Sequence, residues 1–243
     1  MVSYYPNASA VLRQQRHFLL VSFPTASKTA MQTTEKQSKN NSKAEVTFKQ
    51  QAELIKEIQQ AAFQTHANVN QTYDSIHPYS YHLEMVAQNA RQYIQEVCHD
   101  TTDILPILFG AYFHDSIEDA RLTYNDVMKI ARKYMNEEKA FLATELVYAL
   151  TNDKGRTRAE RAGENYYKGV RAIPYAPFLK ACDRLANMSY SHIHSQRYNN
   201  QMGSVYAKEL SEFIQHLSIE TTDLRFRIPQ QMLDRLKELS IHS

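Results

Sequence analysis

Three short stretches of the chain carry side chains that bind metals or move protons. In YSYHLEMVAQNA, His82 is followed by Met85, Val86 and Asn89 at steps of three, four and seven. That spacing puts the imidazole on or beside the apolar stripe of a helix. Taken alone, such a histidine is most simply a hydrogen-bonded core residue, because a buried imidazole needs a polar partner or a metal. In AYFHDSIEDA, His114, Asp115, Glu118 and Asp119 fall within six residues. Continued as a helix they crowd one turn, and three carboxylates so close repel one another unless a cation is present. A solvated acidic helix end is the plain alternative, but acids at a helix C-terminus oppose the macrodipole, so a metal stands level with it. In FLKACDRLANMSY, Phe178, Cys182, Leu185, Ala186 and Ser189 trace one stripe, and Asp183 sits among them with Asn187 one turn on. A carboxylate turned toward a core is costly unless paired or metal-bound. Arg184 is its sequence neighbour, and adjacent helical side chains do not face each other. Together His82, His114, Asp115 and Asp183 offer two imidazoles and two carboxylates. Such a set suits Mn²⁺, Fe²⁺ or Zn²⁺ and leaves positions for water and substrate.

Helices must position these residues. Phe48, Ala52, Ile55, Ile58 and Ala62 recur at helical steps,. A second helix is expected from about Tyr79 past Val97, with Pro78 at its threshold. A third is expected from Asp103 to Asp119, with Thr102 or Asp103 as N-cap. Thr123 and Asp126 have the spacing of a capping box. Further helices are expected near 137–150, 156–168, 175–193 and 203–217, and a short one after Pro229. No alternating strand run and no internal repeat is visible, so the fold class is all-α, with one folded domain over 46–243 and a tail over 1–45.

Composition narrows the function classes. Of residues 22–45, 18 of 24 are Ser, Thr, Gln, Asn, Lys or Glu, too polar to offset chain entropy, so the tail is expected to be disordered,. It is read as functionally idle, with a targeting segment or a start at Met31 as alternatives. The tail carries six Lys/Arg and two acids, so the overall charge of +2 leaves the other 198 residues at −2. A slightly acidic folded domain argues against nucleic acid as main partner. No apolar run is long enough to span a bilayer. Cys98 and Cys182 are too few for a disulfide framework or a Cys-based zinc site, which favours a reducing compartment, the cytoplasm,. Lys154, Arg156, Arg158 and Arg161 form a basic run that could hold phosphate or simply face solvent,. Tyr79 could stack on a base, although it is one of 16 tyrosines. His77 could lie at a pocket mouth, and His192 and His194 are read as surface residues. The amphipathic stretch VYAKELSEFIQHL reads as core packing and leaves a homo-oligomer open.

The order of these motifs carries a resemblance. HPYSYHLEM, HDSIEDA, LTNDKGRTRAER and KACDRLANM resemble, in sequence order, the PYxxHPL, HDxxED, TxDK and KLADRLxNM patterns of HD-domain metal-dependent phosphohydrolases. More narrowly, the chain looks like the hydrolase domain of the RelA/SpoT family and the small alarmone hydrolases, over residues 47–230. The resemblance implies a single helical HD domain with His82, His114, Asp115 and Asp183 as metal ligands, usually for Mn²⁺. It implies that Glu118 and Asp119 position or activate the attacking water and that Asn187 contacts substrate. It implies release of pyrophosphate from the 3′ position of guanosine tetra- or pentaphosphate, with no synthetase domain. Lys154, Arg158 and Tyr79 are the further expected substrate contacts. Three positions depart from the pattern: NQTYDSI lacks a basic pair, Leu83 replaces a Pro, and Tyr190 replaces a Thr. All three fall where base or ribose recognition is expected. Two alternatives therefore stand beside the alarmone reading: an HD phosphohydrolase for another nucleotide or phosphoester, and a metal-binding regulatory module without turnover.

Overall fold

A computed structural model describes residues 34–152, 156–198 and 202–241. Two compact units divide the chain, residues 1–46 and 47–243. Described residues of the first unit open α1 (Thr34–Ala67), which starts earlier than composition suggests. A nucleated helix propagates at one hydrogen bond per residue, and Lys, Glu, Gln and Ala extend it readily.

The second unit is all-α, as expected. After α1 come α2 (Ser80–Tyr93), α3 (Ile104–Phe113), α4 (Tyr124–Ala131) and α5 (Glu137–Leu150). They are followed by α6 (Arg158–Arg161), α7 (Glu164–Ala172), α8 (Ala176–Tyr198), α9 (Met202–Leu217) and α10 (Gln230–Ile241). The helix expected over 156–168 is two helices, because the chain turns at Gly163, which sits extended as the N-cap of α7. No described helix is long and apolar enough to cross a membrane.

One small strand pair stands beside the helices. β1 (Thr72–Tyr73) pairs antiparallel with β2 (His77–Pro78), with Tyr73 opposite His77. Asp74 and Ser75 make the turn at φ 52° and 57°. Asp tolerates the left-handed region because its short polar side chain can bond locally. Two residues per strand are too few for an alternating pattern to register.

The centre of the unit is α3, which packs on α2, α5 and α8. Every residue from Pro106 to Phe113 is buried. Burying each large apolar side chain contributes about 1.5–3 kcal/mol, so this run dominates the core. Gly110 permits the close packing: a Cβ there would lie 2.8 Å from Leu179 Cδ1 and 3.1 Å from Leu146 Cβ. Asp103 anchors the start of α3, accepting from Lys139 Nζ at 2.6 Å and from the Tyr175 hydroxyl at 2.7 Å. Asp103 is the N-cap of α3, as one of the two expected positions, but its side chain makes no cap bond; Asp100 caps the preceding 3₁₀ turn Thr101–Asp103 by accepting from Thr102 N. The Thr123–Asp126 capping box opens α4 as its spacing implies.

Where α3 ends decides the site. The helix stops at Phe113 with His114 as C-cap, and does not continue to Asp119. Ser116 N donates to Phe113 O, Asp119 N to Asp115 O, and Leu122 N to Ser116 O, so the chain curls through tight turns. Arg121 closes the curl at φ 63°. The three acids beyond His114 therefore line a turn rather than a helix face.

Candidate metal centre

Three elements converge on one point. α2 supplies His82, the end of α3 supplies His114 and Asp115, and α8 supplies Asp183. His82 Nε2 lies 3.3 Å from His114 Nε2, 3.4 Å from Asp183 Oδ1 and 3.8 Å from Asp115 Oδ2. His114 Nε2 lies 2.8 Å from Asp115 Oδ2 and 4.0 Å from Asp183 Oδ1. One ligand atom each from His82, His114 and Asp115 falls within 4.8 Å of the others. Both imidazoles are 2% exposed.

The nitrogen atoms are arranged for a cation. His114 Nδ1 sits 3.0 Å from Ala111 O. A carbonyl only accepts, so Nδ1 carries the proton and Nε2 of the neutral ring presents its lone pair to the cluster. His82 aims its Nε2 at the same point, while its buried Nδ1 meets no hydrogen-bond partner among the described residues. Two buried imidazole nitrogens facing each other beside two carboxylates need a proton or a metal ion between them. The donor set fits a divalent transition ion.

Charge at the centre is mutually coupled. Burial disfavours an imidazolium at His114, but the adjacent Asp115 and then Asp183 outweigh it and push His114 up to about 9. Burial likewise opposes ionisation of Asp115, yet His114 and His82 hold it well below the carboxylate range. Asp183 is held low against burial by Lys180 first, then by the imidazoles. Asp119 moves the other way: burial and the neighbouring Asp115 and Glu118 raise it to about 6. A carboxyl titrating there suits proton transfer near neutrality.

These four side chains have supporting partners, several of them illegible from spacing. Tyr73, brought in by β1, stacks on His82 at 4.8 Å and 12° and donates its hydroxyl to Asn187 Oδ1 at 2.9 Å. Asn187 Nδ2 donates in turn to Asp183 Oδ1 at 2.7 Å. Asn187 thus orients a ligand carboxylate as well as lining the pocket. The Tyr79 hydroxyl donates to Asp115 Oδ2, and its ring stacks on His66 at 4.7 Å and 14°. This corrects the stacking reading of Tyr79: one ring face and the hydroxyl are committed, and its role is to hold Asp115. Tyr190 donates to Asp74 Oδ2 at 3.0 Å, fastening α8 to the β1–β2 turn. Lys180 Nζ lies 3.1 Å from Asp183 Oδ2, an i,i+3 pair on α8 that helical spacing alone could have flagged,. Arg184 faces away from Asp183, as expected, and pairs with Glu209 at 3.3 Å.

The cluster opens into a cavity of about 810 Å³. Glu118 and Asp119 line it beside Asp115. Glu118 is held by Asn152, which donates from its side chain at 2.9 Å and from its backbone at 3.3 Å. Asn152 belongs to the LTND segment, so that motif has a local task. Arg161 and Thr157 line the rim. Lys154 lies outside the described residues, and Arg158 is described only as backbone at the start of α6. His77 is not among the lining residues: it stacks on Tyr81 at 4.5 Å and meets the Tyr190 ring edge-on at 6.0 Å. No family model matches the chain, and no curated protein matches it.

Proposed function

We propose that this protein is a metal-dependent phosphohydrolase that removes the 3′-pyrophosphate of guanosine tetra- or pentaphosphate. The observation that carries the hydrolase reading is the convergence of His82, His114, Asp115 and Asp183 at one end of a cavity that also presents Glu118 and Asp119. The cavity volume of about 810 Å³ lies within the range that holds nucleotide-sized ligands,. The alarmone substrate is supported by the ordered resemblance of four motifs.

A divalent ion held by these four residues, most simply Mn²⁺, would acidify water and polarise a phosphoryl oxygen. The chain's own groups do the rest. Asp115 and Asp183 are kept anionic, Asp115 by Tyr79 and His114, and Asp183 by Asn187 and Lys180. Glu118, fixed by Asn152, orients the attacking water. Asp119, raised to about 6, is placed to take its proton,. Attack in line on the phosphorus bonded to O3′ forms the new P–O bond and breaks P–O3′, so pyrophosphate leaves with the water oxygen and the 3′ oxygen departs on GDP, taking up a proton.

A second reading, the same chemistry on another phosphoester, is favoured by the far wall of the cavity. Tyr167, Tyr206 and Phe213 make it an aromatic surface, on which Glu164, Glu209 and Glu212 face Arg171, Arg184 and His216. ³¹P NMR of guanosine tetraphosphate with metal-stripped protein, with and without added Mn²⁺, separates the two. Mn²⁺-dependent appearance of GDP and pyrophosphate, recorded after chelation, is the expected result. Metal uptake without turnover of this substrate would move the assignment to another phosphoester. Inertness over a broad phosphoester panel would leave a metal-binding regulatory module.

A further inference from the structure

The cavity has a charge problem that its own residues must solve. Four carboxylates, Asp115, Glu118, Asp119 and Asp183, surround the place where a phosphoryl group would react. A phosphate ester approaching them needs positive charge close to the reacting atoms, since a phosphate is held by charge-assisted hydrogen bonds. Among the described lining residues the Lys and Arg side chains are Arg161, Lys180 and Arg184. Arg161 is exposed at the rim. Arg184 is committed elsewhere: its guanidinium pairs with Glu209 and lies over the rings of Phe213 at 4.3 Å and Tyr206 at 4.7 Å.

Lys180 is different in place and in partners. Its side chain is 15% exposed and its Nζ lies over the Tyr166 ring at 5.6 Å. Asp183 spans the gap to the centre with its two oxygens. Oδ2 takes Lys180 at 3.1 Å, and Oδ1 faces His82 at 3.4 Å and His114 at 4.0 Å. The ammonium is thus one carboxylate away from the point where the four ligands converge. It carries three donors, of which Asp183 Oδ2 takes one and the Tyr166 hydroxyl a second, leaving the third for a ligand,.

We propose that Lys180 is the phosphate-binding cation of this site, donating from Nζ to an oxygen of the phosphoryl group that reacts at the centre. The proposal rests on the phosphohydrolase reading and names a contact within it. An ammonium on a flexible stem is a compact point charge, suited to follow phosphoryl oxygens as charge shifts onto them. The competing role is a merely structural one, in which Lys180 only neutralises Asp183. The two roles move metal affinity in opposite directions. A phosphate-binding Lys180 places positive charge next to the metal, so its removal leaves Mn²⁺ affinity unchanged or tighter. A structural Lys180 is needed for Asp183 to stand in place, so its removal weakens Mn²⁺ binding.

The test is calorimetric titration of the full chain, first with Mn²⁺ alone and then with inorganic phosphate added to the Mn²⁺-loaded protein. Lys180→Met is expected to keep Mn²⁺ affinity and to weaken phosphate binding by about ten- to a hundredfold, the loss of one charge-assisted hydrogen bond. Lys180→Arg, which keeps the charge, is expected to recover part of the phosphate affinity. Lys180→Gln carries the same expectation as Lys180→Met and serves if the latter does not fold. Phosphate affinity unchanged in Lys180→Met and Lys180→Gln would overturn the proposal and leave the hydrolase reading intact. Loss of Mn²⁺ affinity in both would overturn it in favour of the structural role. Absence of Mn²⁺ binding in the unmutated chain would overturn it together with the metal centre, and would show in the first titration.

Discussion

Tyr73 shows how much of this centre depends on residues that hold no ligand position. Its ring covers His82, and its hydroxyl reaches Asp183 through the Asn187 amide. Outer partners of metal ligands are typically worth 10–100-fold in affinity or activity. Tyr73→Phe keeps the stacked ring and removes only the hydroxyl, so Mn²⁺ affinity should fall by about tenfold, the low end of that range, with the fold intact by circular dichroism. Asp115→Ala removes a ligand outright and should abolish both Mn²⁺ retention and turnover. Full activity in that variant would refute the ligand set. Glu118→Gln keeps the Asn152 contact and the metal but loses the charge that orients water. Turnover is expected to drop by about 10²–10⁴-fold at unchanged Mn²⁺ content, the usual worth of a positioned acid or base.

At the scale of elements, the decisive feature is the packing of α3 between α5 and α8. Gly110→Ala forces a methyl against Leu146 Cβ, a stiff neighbour, and Leu179 Cδ1, a mobile one. Overpacking costs about 1–3 kcal/mol, and alanine returns up to about 1 kcal/mol of helix propensity. The expected net loss of about 1 kcal/mol should lower the melting temperature by about 2–4 °C for a chain of this size. A melting temperature that rises would mean that α3 and α8 can part without cost. The same packing explains why α3 ends at Phe113. The apolar run ends there, and the turns that follow bring His114 Nε2 and Asp115 Oδ2 to 2.8 Å.

For the whole molecule, the acid limb of stability has an identifiable contributor. His66 is 1% exposed, stacked on Tyr79, and neither ring nitrogen has a hydrogen-bond partner among the described residues. Burial, opposed by Asp115 and helped by His114 and His82, lowers it from 6.5 to about 4. The unfolded chain therefore binds a proton between those values that the folded chain refuses. Stability from this group is fully present above pH 6.5 and is lost as pH falls toward 4, by up to about 3 kcal/mol,. His66→Phe keeps the stack and should flatten the fall in melting temperature between pH 7 and pH 4.5. A variant that loses stability as steeply as the parent would show that His66 contributes nothing to it.

Helical periodicity and caps were legible along the chain, because each is set by neighbours within four residues. The Thr123–Asp126 box and the all-α class follow from such local rules. His82, His114, Asp115 and Asp183 were legible as chemistry out of place: polar groups on apolar stripes and acids where a helix dipole opposes them. Two facts were decided only by tertiary structure. The acids after His114 sit in tight turns because the packed run of α3 ends at Phe113, a limit set by what surrounds it. Tyr73 and Tyr79 act on the centre because α2, α8 and the β1–β2 turn meet there, a meeting of residues up to 116 positions apart. Local rules choose the elements and place polar groups on their faces. Which faces meet depends on burying all the apolar area at once, and that is a property of the whole chain.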